Sequence, residues 1–257
     1  MPVLHMQIRP GIDLANLTDT GCEREVNEDY YGYFEPDSDE DFQRKGRLII
    51  VADGMGGHVG GQIASGIAVD TVRDVYLADP SGDPGDALSH AFEQAHRAIL
   101  DHAREHPELH GMGTTCTAAA IVDGQLYFGH VGDSRLYRIR ESKLTQLSED
   151  HSYVARLVRE GMIAPEEAAT HPERNVLTAA LGMESIMSLD FPAEPIPLAP
   201  GDILLLCTDG LHGLVTDAEM LSIAATRAPS DACHTLVHLA KNRGGFDNIT
   251  VQILRVL

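Results

Sequence analysis

Three apolar runs in this chain end on an aspartate followed by a very small residue. They are LIIVA before Asp53-Gly54, LYFGHVG before Asp133-Ser134 and ILLLCT before Asp209-Gly210. Asp247-Asn248 is the reverse case and opens the run ITVQILRV. Apolar runs of this length, bounded by turn residues, predict buried strands. A carboxylate fixed at the end of such a strand stands near a low-dielectric core, where an unpaired charge is costly. A single aspartate of this kind commonly forms a turn. Four of them suggest strand ends converging on a hard cation. Glu28 and Asp29, from the stretch REVNED, extend the set. So many acids could not all ionise side by side without cations. Oxygen ligands of this type suit Mg²⁺ or Mn²⁺, and the chain has no H-E-x-x-H and no Cys/His cluster that would favour zinc. Two such ions about 3.5–4 Å apart could activate a water between them.

Gly54 lets the backbone come close, so its carbonyl could itself be a ligand; a plain strand-to-loop turn is the other reading of DGMGG. No G-x-x-x-x-G-K-[ST] occurs in the chain, which disfavours a nucleoside triphosphate cradle. Arg24 precedes Glu28 and Asp29 by one helical turn of sequence. Such a pair is commonly a surface ion pair. Beside metals, a planar guanidinium suits two-point grip of a phosphate. Metals with a phosphate-gripping arginine and no P-loop point to hydrolysis of a phosphate ester.

The elements that must hold these residues follow from pattern. After the glycines behind Asp53, Ile63, Ala64, Ile67, Ala68, Thr71, Val72 and Val75 share one face of a helix. A second helix is predicted from about Asp86 to Arg104, with Ala87, Leu88, Ala91, Phe92, Ala95, Ile99 and Leu100 as its stripe. From Thr114 the spacing predicts an antiparallel meander with turns at Asp123-Gly124, Asp133-Ser134 and Glu141-Ser142. Residues 152–160 predict a short helix with Ser152 as N-cap and Gly161 as stop, and Pro165 opens another. A strand at about Ile203 to Cys207, two helices near 217–225 and 230–242, and a last strand complete the order. This is not the alternation of a parallel sheet. It predicts antiparallel sheets stacked face to face with helices outside. The acid-rich stretch EPDSDED, Glu35 to Asp41, reads as a solvated hairpin tip.

The chain of 257 residues carries net charge -20, which argues against binding nucleic acid through its phosphates. No apolar stretch approaches the ~20 residues of a membrane span. The start, MPVLHMQIRPGIDLANLTDTG, lacks the charged and apolar regions of a secretory signal. Cys22, Cys116, Cys207 and Cys233 form no C-x-x-C pair and read as reduced, mostly buried thiols of a cytoplasmic protein.

Taken together, GCEREVNED, VADGMGGHVGGQIAS, GMGTT, HVGDSRLYRI, EDHSYV, NVLTAALG, LLLCTDGL and DNITV resemble the metal-dependent protein phosphatases of the 2C type in their compact bacterial form. The motifs run in the family's order over nearly the whole chain. The resemblance implies an α+β fold, a four-layer α-β-β-α sandwich, as one catalytic domain over residues 1–257 with a mobile flap at about 152–178. It implies Asp53 as bridge between two core Mn²⁺ or Mg²⁺ ions, with Asp209 and Asp247 on the first. Glu28, Asp29 through water, and the Gly54 carbonyl would hold the second. Asp133 would hold a third, weaker ion with Asp209, and Arg24 would orient the phosphate. Phosphoserine and phosphothreonine proteins would be the substrates, attacked by a bridging water or hydroxide without a phosphoenzyme. A Ser/Thr kinase or its targets would be the partner.

The chain departs from the family at two places. Met55 stands where some relatives have a candidate proton donor, and the nearby His58 reads as structural. Ala179 stands where many bacterial members have arginine, removing a cation near the flap. Cys116 and Cys207 lie in apolar strand patterns and read as packing residues. An inactive binding protein on this fold would be expected to lack metal ligands, which this chain keeps. A hydrolase of another phosphoester would be told apart by turnover of small substrates against phosphopeptides.

Overall fold

The run Leu48 to Ala52 is apolar at every position because both of its faces are buried. Leu48, Ile50 and Ala52 pack under helices, while Ile49 and Val51 face a second sheet. The same division holds near the C-terminus, where Leu205 and Cys207 face helices and Leu204 and Leu206 face the other sheet. Continuous apolar runs of this length are the mark of strands in the middle of a sandwich.

The computed structural model describes residues 9–57, 59–168, 170–183 and 189–257. The first eight residues, which begin the segment read against a secretory signal, and His58 lie outside the described residues. In chain order the elements are β1 (Ile12–Asp19), β2 (Asp29–Phe34), α1 (Asp39–Lys45), β3 (Arg47–Met55), α2 (Val59–Ala78) and α3 (Pro84–Glu105). Then follow β4 (Gly113–Thr114), β5 (Cys116–Val122), β6 (Gln125–Val131), β7 (Arg135–Arg140), β8 (Lys143–Gln146), α4 (Tyr153–Arg159) and α5 (Pro165–Ala168). The rest are β9 (Ile196–Pro197), β10 (Ile203–Cys207), α6 (Asp209–His212), α7 (Asp217–Thr226), α8 (Pro229–Asn242) and β11 (Ile249–Val256).

One sheet has the order β1-β11-β10-β7-β8 and the other β2-β3-β5-β6-β9, with β4 added to β3. Every pairing among them is antiparallel. Helices α2 and α3 cover the second sheet, and α7 and α8 cover the first. A third apolar cluster, including Tyr33, Phe128 and Leu254, fills the space between the sheets. The chain is thus the expected four-layer α-β-β-α sandwich.

Three expectations need correction. The meander breaks at Asp133-Ser134: β6 ends in one sheet and β7 begins in the other. Gly132, at φ +105, makes the turn, and a Cβ there would lie 2.5 Å from Thr115. The buried Ser134 hydroxyl bonds that same threonine at 2.8 Å. The acid-rich stretch does lie in the connection of the antiparallel pair β2–β3, but it is not a bare tip: it runs into α1. Ser38 caps it by accepting from the Asp41 N–H, with acids in the first turn and Arg44 and Lys45 in the last. Finally, α2 buries Ala64, Ala68 and Val72 of the predicted stripe, but its inner face also takes in Ser65, Val69 and Tyr76 and is turned by about one residue from that stripe. Ile63, Ile67 and Val75 flank it, partly buried. Helix α3 buries its predicted stripe except Leu100.

Candidate active site

Antiparallel pairing brings strand ends and starts to one edge of the sandwich. Asp29 at the start of β2 pairs with Asp53 near the end of β3. Cys207 at the end of β10 pairs with Val251 near the start of β11 and with Arg135 at the start of β7. A pocket of about 680 Å³ opens at this edge. Arg24, Glu28, Asp53, Gly54, Asp133, Asp209 and Asp247 all line it. Met55, Asn175 and Leu177 line it too. Asp29 stands behind it, buried. Another cleft, about 560 Å³ at Phe42, Arg47 and Gly124, sits at the other end of β3 and carries no such cluster of acids.

Each acid is fixed by neighbours in the chain fold. Asp53 donates its N–H to the Thr115 hydroxyl at 2.9 Å, while its carbonyl accepts from the Thr115 N–H and the Thr114 hydroxyl. Gly54 donates to the Glu28 carbonyl at 3.2 Å. A Cβ on Gly54 would lie 2.1 Å from the Gly61 carbonyl oxygen, so only glycine permits this approach of α2 to β3. The Glu28 N–H donates to the side chain of Asn248 at 2.8 Å, and that same amide donates to the carbonyls of Thr20 and Val26. The Asp29 carboxylate accepts from the hydroxyls of Thr208 at 3.0 Å and Thr250 at 2.6 Å. The His212 ring lies 2.9 Å from the Asp133 carbonyl. Arg24 donates to Asp247 at 2.7 Å and lies 3.6 Å from Glu28.

These positioning residues had only a faint signal in the sequence. Thr208 and Thr250 are polar residues inside otherwise apolar strand runs, which marks a buried partner. Asn248 lies in a quoted motif without a role of its own. His212 is a lone histidine and carries no pattern.

Burial and mutual repulsion push four of the carboxyls up, those of Asp29, Asp53, Asp133 and Asp209. Asp29 is raised to about 7 by burial and the charges of Asp209 and Asp247, against the hydrogen bonds from Thr250 and Thr208. Asp209 is raised to about 6, first by burial and then by Asp247. Burial, with Asp29 and then Asp209, holds Asp53 well above the carboxylate range, and burial with Asp209 does the same for Asp133. Partial burial works against the Arg24 charge, but Asp247, Glu28 and Asp53 outweigh it and raise its pKa. The acids therefore hold charge only at one another's expense, which is the condition a cation relieves.

The donor set fits a hard divalent ion. One carboxylate oxygen each of Asp29 and Asp209 is buried without a hydrogen-bond partner. Such an atom is costly unless something else satisfies it. Among the described residues no three His, Cys, Asp or Glu side chains close around a common centre as a finished all-protein cage. Carboxylates spread around an open pocket suit ions such as Mg²⁺, which keep several waters.

The remaining expectations fall outside the pocket. Cys116 and Cys207 are fully buried, and burial pushes both thiols far up, so neither is a nucleophile. Cys22 alone of the four is exposed. Ala179 is buried in the core under α2 and α3, with Leu181 and Met112. No helix among the described residues is long and apolar enough to cross a membrane.

Residues 24–241 match the family described as protein phosphatase 2C. The chain is 37% identical over 248 residues to the protein phosphatase PhpP of Streptococcus pneumoniae, covering 95% of this chain and 97% of that one. It is 38% identical over 242 residues to the serine/threonine phosphatase stp of Listeria innocua, covering 92% and 93%. Its fold superimposes on the catalytic domain of the serine/threonine protein phosphatase PstP in complex with two manganese ions. There the TM-score is 0.82 at 33% identity, over 96% of this chain and 99% of that one. The chain belongs to the protein phosphatase 2C family and is a metal-dependent protein serine/threonine phosphatase.

Proposed function

We propose that the pocket hydrolyses phosphoserine and phosphothreonine in proteins directly, without a phosphoenzyme, using two Mn²⁺ or Mg²⁺ ions. The observation that carries this reading is the convergence of Asp53, Asp133, Asp209, Asp247 and Glu28 on one pocket that also holds Arg24. Asp53 would contact both ions, Asp209 and Asp247 the first, and Glu28 with the Gly54 carbonyl the second. Asp29, buried behind, would act through water. Asp133 with Asp209 would hold a third, weaker ion. When bound, the ions supply Lewis acidity for activating water and neutralise the pocket's charge.

The chain's own residues do the rest. Arg24, half-exposed at the mouth, has one guanidinium face on Asp247 and Glu28 and can turn its donors to a phosphate. Thr208 and Thr250 hold Asp29 in one rotamer, and Asn248 holds the backbone that carries Glu28. No cysteine lines the pocket, and Cys116 and Cys207 are fully buried, which fits hydrolysis without a covalent intermediate. Residues 1–257 would act as one catalytic domain, and 152–178, which contain α4 and α5, as its flap. Leu177 and Asn175 of that segment line the pocket. A cytoplasmic Ser/Thr kinase or its targets would be the partner.

The test is phosphate release from phosphothreonine peptides with Mn²⁺, beside a small aryl phosphate. Metal-dependent release from the peptides is expected, and Asp209→Asn should lose most of it at limiting Mn²⁺. A protein that cleaves only the small substrate, or an Asp209→Asn variant with unchanged turnover, overturns the reading.

A further inference from the structure

A smaller cavity of about 270 Å³ opens beside the catalytic pocket, lined by Leu100, Ala103 and Arg104 of α3 with His110, Gly111, Gly182 and Met183. Gly111 and Met183 line both cavities. Gly111 has φ +82, and a Cβ there would meet nothing within 4 Å. Gly111 thus lines both cavities without a side chain of its own and faces open space, which makes it an unobstructed saddle. The far wall is fixed rather than loose. The Gly182 N–H donates to the His96 ring of α3 at 3.2 Å. A Cβ on Gly182 would lie 2.5 Å from Ile99 and 2.7 Å from the Met112 carbonyl oxygen, so the wall lies flat on the helix. Arg104 is paired with Asp101 at 2.8 Å, which leaves its aliphatic stem as the lip. The groove therefore offers a mainly apolar floor of Leu100, Ala103 and Met183, with the polar ends of His110 and Arg104 at its edge.

We propose that this groove receives an apolar side chain of the phosphoprotein substrate, from a residue close in sequence to the phosphoresidue. It would thereby set which phosphosites are hydrolysed fastest. The proposal rests on the phosphatase reading of the neighbouring pocket. The occupant follows from continuity: a phosphoresidue fills the acid-lined pocket, and the chain on one side of it must leave over the rim. The Gly111 saddle is a rim position with no side chain in the way. A chain of net charge -20 repels acidic flanks, so an acidic residue is not the one that would settle in the groove. An extended chain advances about 3.3 Å per residue, so neighbours within a few positions reach the groove.

The test uses the metal-loaded protein and a phosphothreonine peptide flanked by glycines. A single leucine is walked from four residues before the phosphothreonine to four after it. Leucine at one or two adjacent positions on one side is expected to raise kcat/KM about tenfold, as for a half-buried leucine. Ala103→Phe, which fills the groove, should abolish that gain while turnover of a small aryl phosphate stays unchanged. Leu100→Ala, a milder change on a partly exposed position, should reduce the gain and guards against a misfolded first variant. No gain at any position, or a gain that survives in the folded variants, overturns the proposal. Loss of all metal-dependent turnover in the unaltered protein would instead overturn the phosphatase reading.

Discussion

Replacing Asn248 with alanine tests how far the positioning of the site and the stability of the fold are one property. The Asn248 side chain, 3% exposed, accepts from the Glu28 N–H and donates to Thr20 and Val26. A protein hydrogen bond contributes about 1 kcal/mol net, and a buried donor left unpaired costs about 1–3 kcal/mol. The Glu28 N–H bond is buried, whereas the other two are only part-buried, so the orphan penalty applies once. The loss of unfolding free energy should then be about 3–5 kcal/mol. The segment released carries Arg24 and Glu28. The Mn²⁺ needed for half-maximal phosphate release should rise about tenfold, equivalent to about 1.4 kcal/mol of lost ligand positioning. Denaturant unfolding in the presence of chelator gives the first quantity and a Mn²⁺ titration the second. Hydrogen exchange at the Glu28 amide should accelerate in step. A stability loss below about 1 kcal/mol with an unchanged Mn²⁺ requirement refutes the reasoning.

Gly54→Ala places a Cβ 2.1 Å from the Gly61 carbonyl oxygen and 2.7 Å from that of Glu28. Because both neighbours are backbone, the variant should lose about 2–4 kcal/mol, read as a fall in the denaturation midpoint; a midpoint equal to that of the parent would contradict it. At the far end of the sandwich, Arg140 donates to Asp202 at 2.7 Å. Burial raises the Asp202 carboxyl, but the Arg140 bond, the Ala199 N–H and the Arg140 charge outweigh it, so the folded pKa is lowered. A carboxylate depressed on folding stabilises the protein above its unfolded pKa of about 3.9, and that contribution disappears as pH falls through the lower folded value. Arg140→Ala should therefore cost about 1–2 kcal/mol at neutral pH, with the gap from the parent closing below about pH 4 in metal-free unfolding. A gap that stays constant with pH would show that the pair contributes through packing.

Much of the site was legible because a carboxylate behind a run of apolar residues is a local signal. LIIVA-Asp53, ILLLCT-Asp209 and Asp247-Asn248 each state their strand and their end. The helix α3 was legible for the same reason, since Ala87 to Ile99 is a 3.6-residue stripe that the fold buries. What failed was information held at a distance. Asp133-Ser134 looks like any two-residue hairpin turn, and only Thr115 and the Gly132 conformation reveal a change of sheet. The roles of Asn248, Thr208 and Thr250 depend on partners some 180 to 220 residues away, as with Thr250 and Asp29 at a separation of 221. The helix α1 was a misreading rather than a missing signal: Ser38, three acids and a basic last turn are the ordinary marks of a capped helix.

The position of β11 has a consequence for the order in which the protein becomes competent. This strand lies between β1 and β10, and among the described residues β1 pairs with no other strand. Thr18 and Thr250, which join their hydroxyls across that pair, are 232 residues apart. A chain growing from its N-terminus carries Arg24, Glu28, Asp53, Asp133 and Asp209 well before Asp247 and β11 emerge. Until then its first strand waits unpaired, and contacts of such separation make closure late. Completion of the sheet and assembly of the acidic pocket are thus a single late event. A nascent chain stopped between residues 209 and 246 lacks both Asp247 and the strand that β1 pairs with, so its sheet and its acidic pocket are unfinished together.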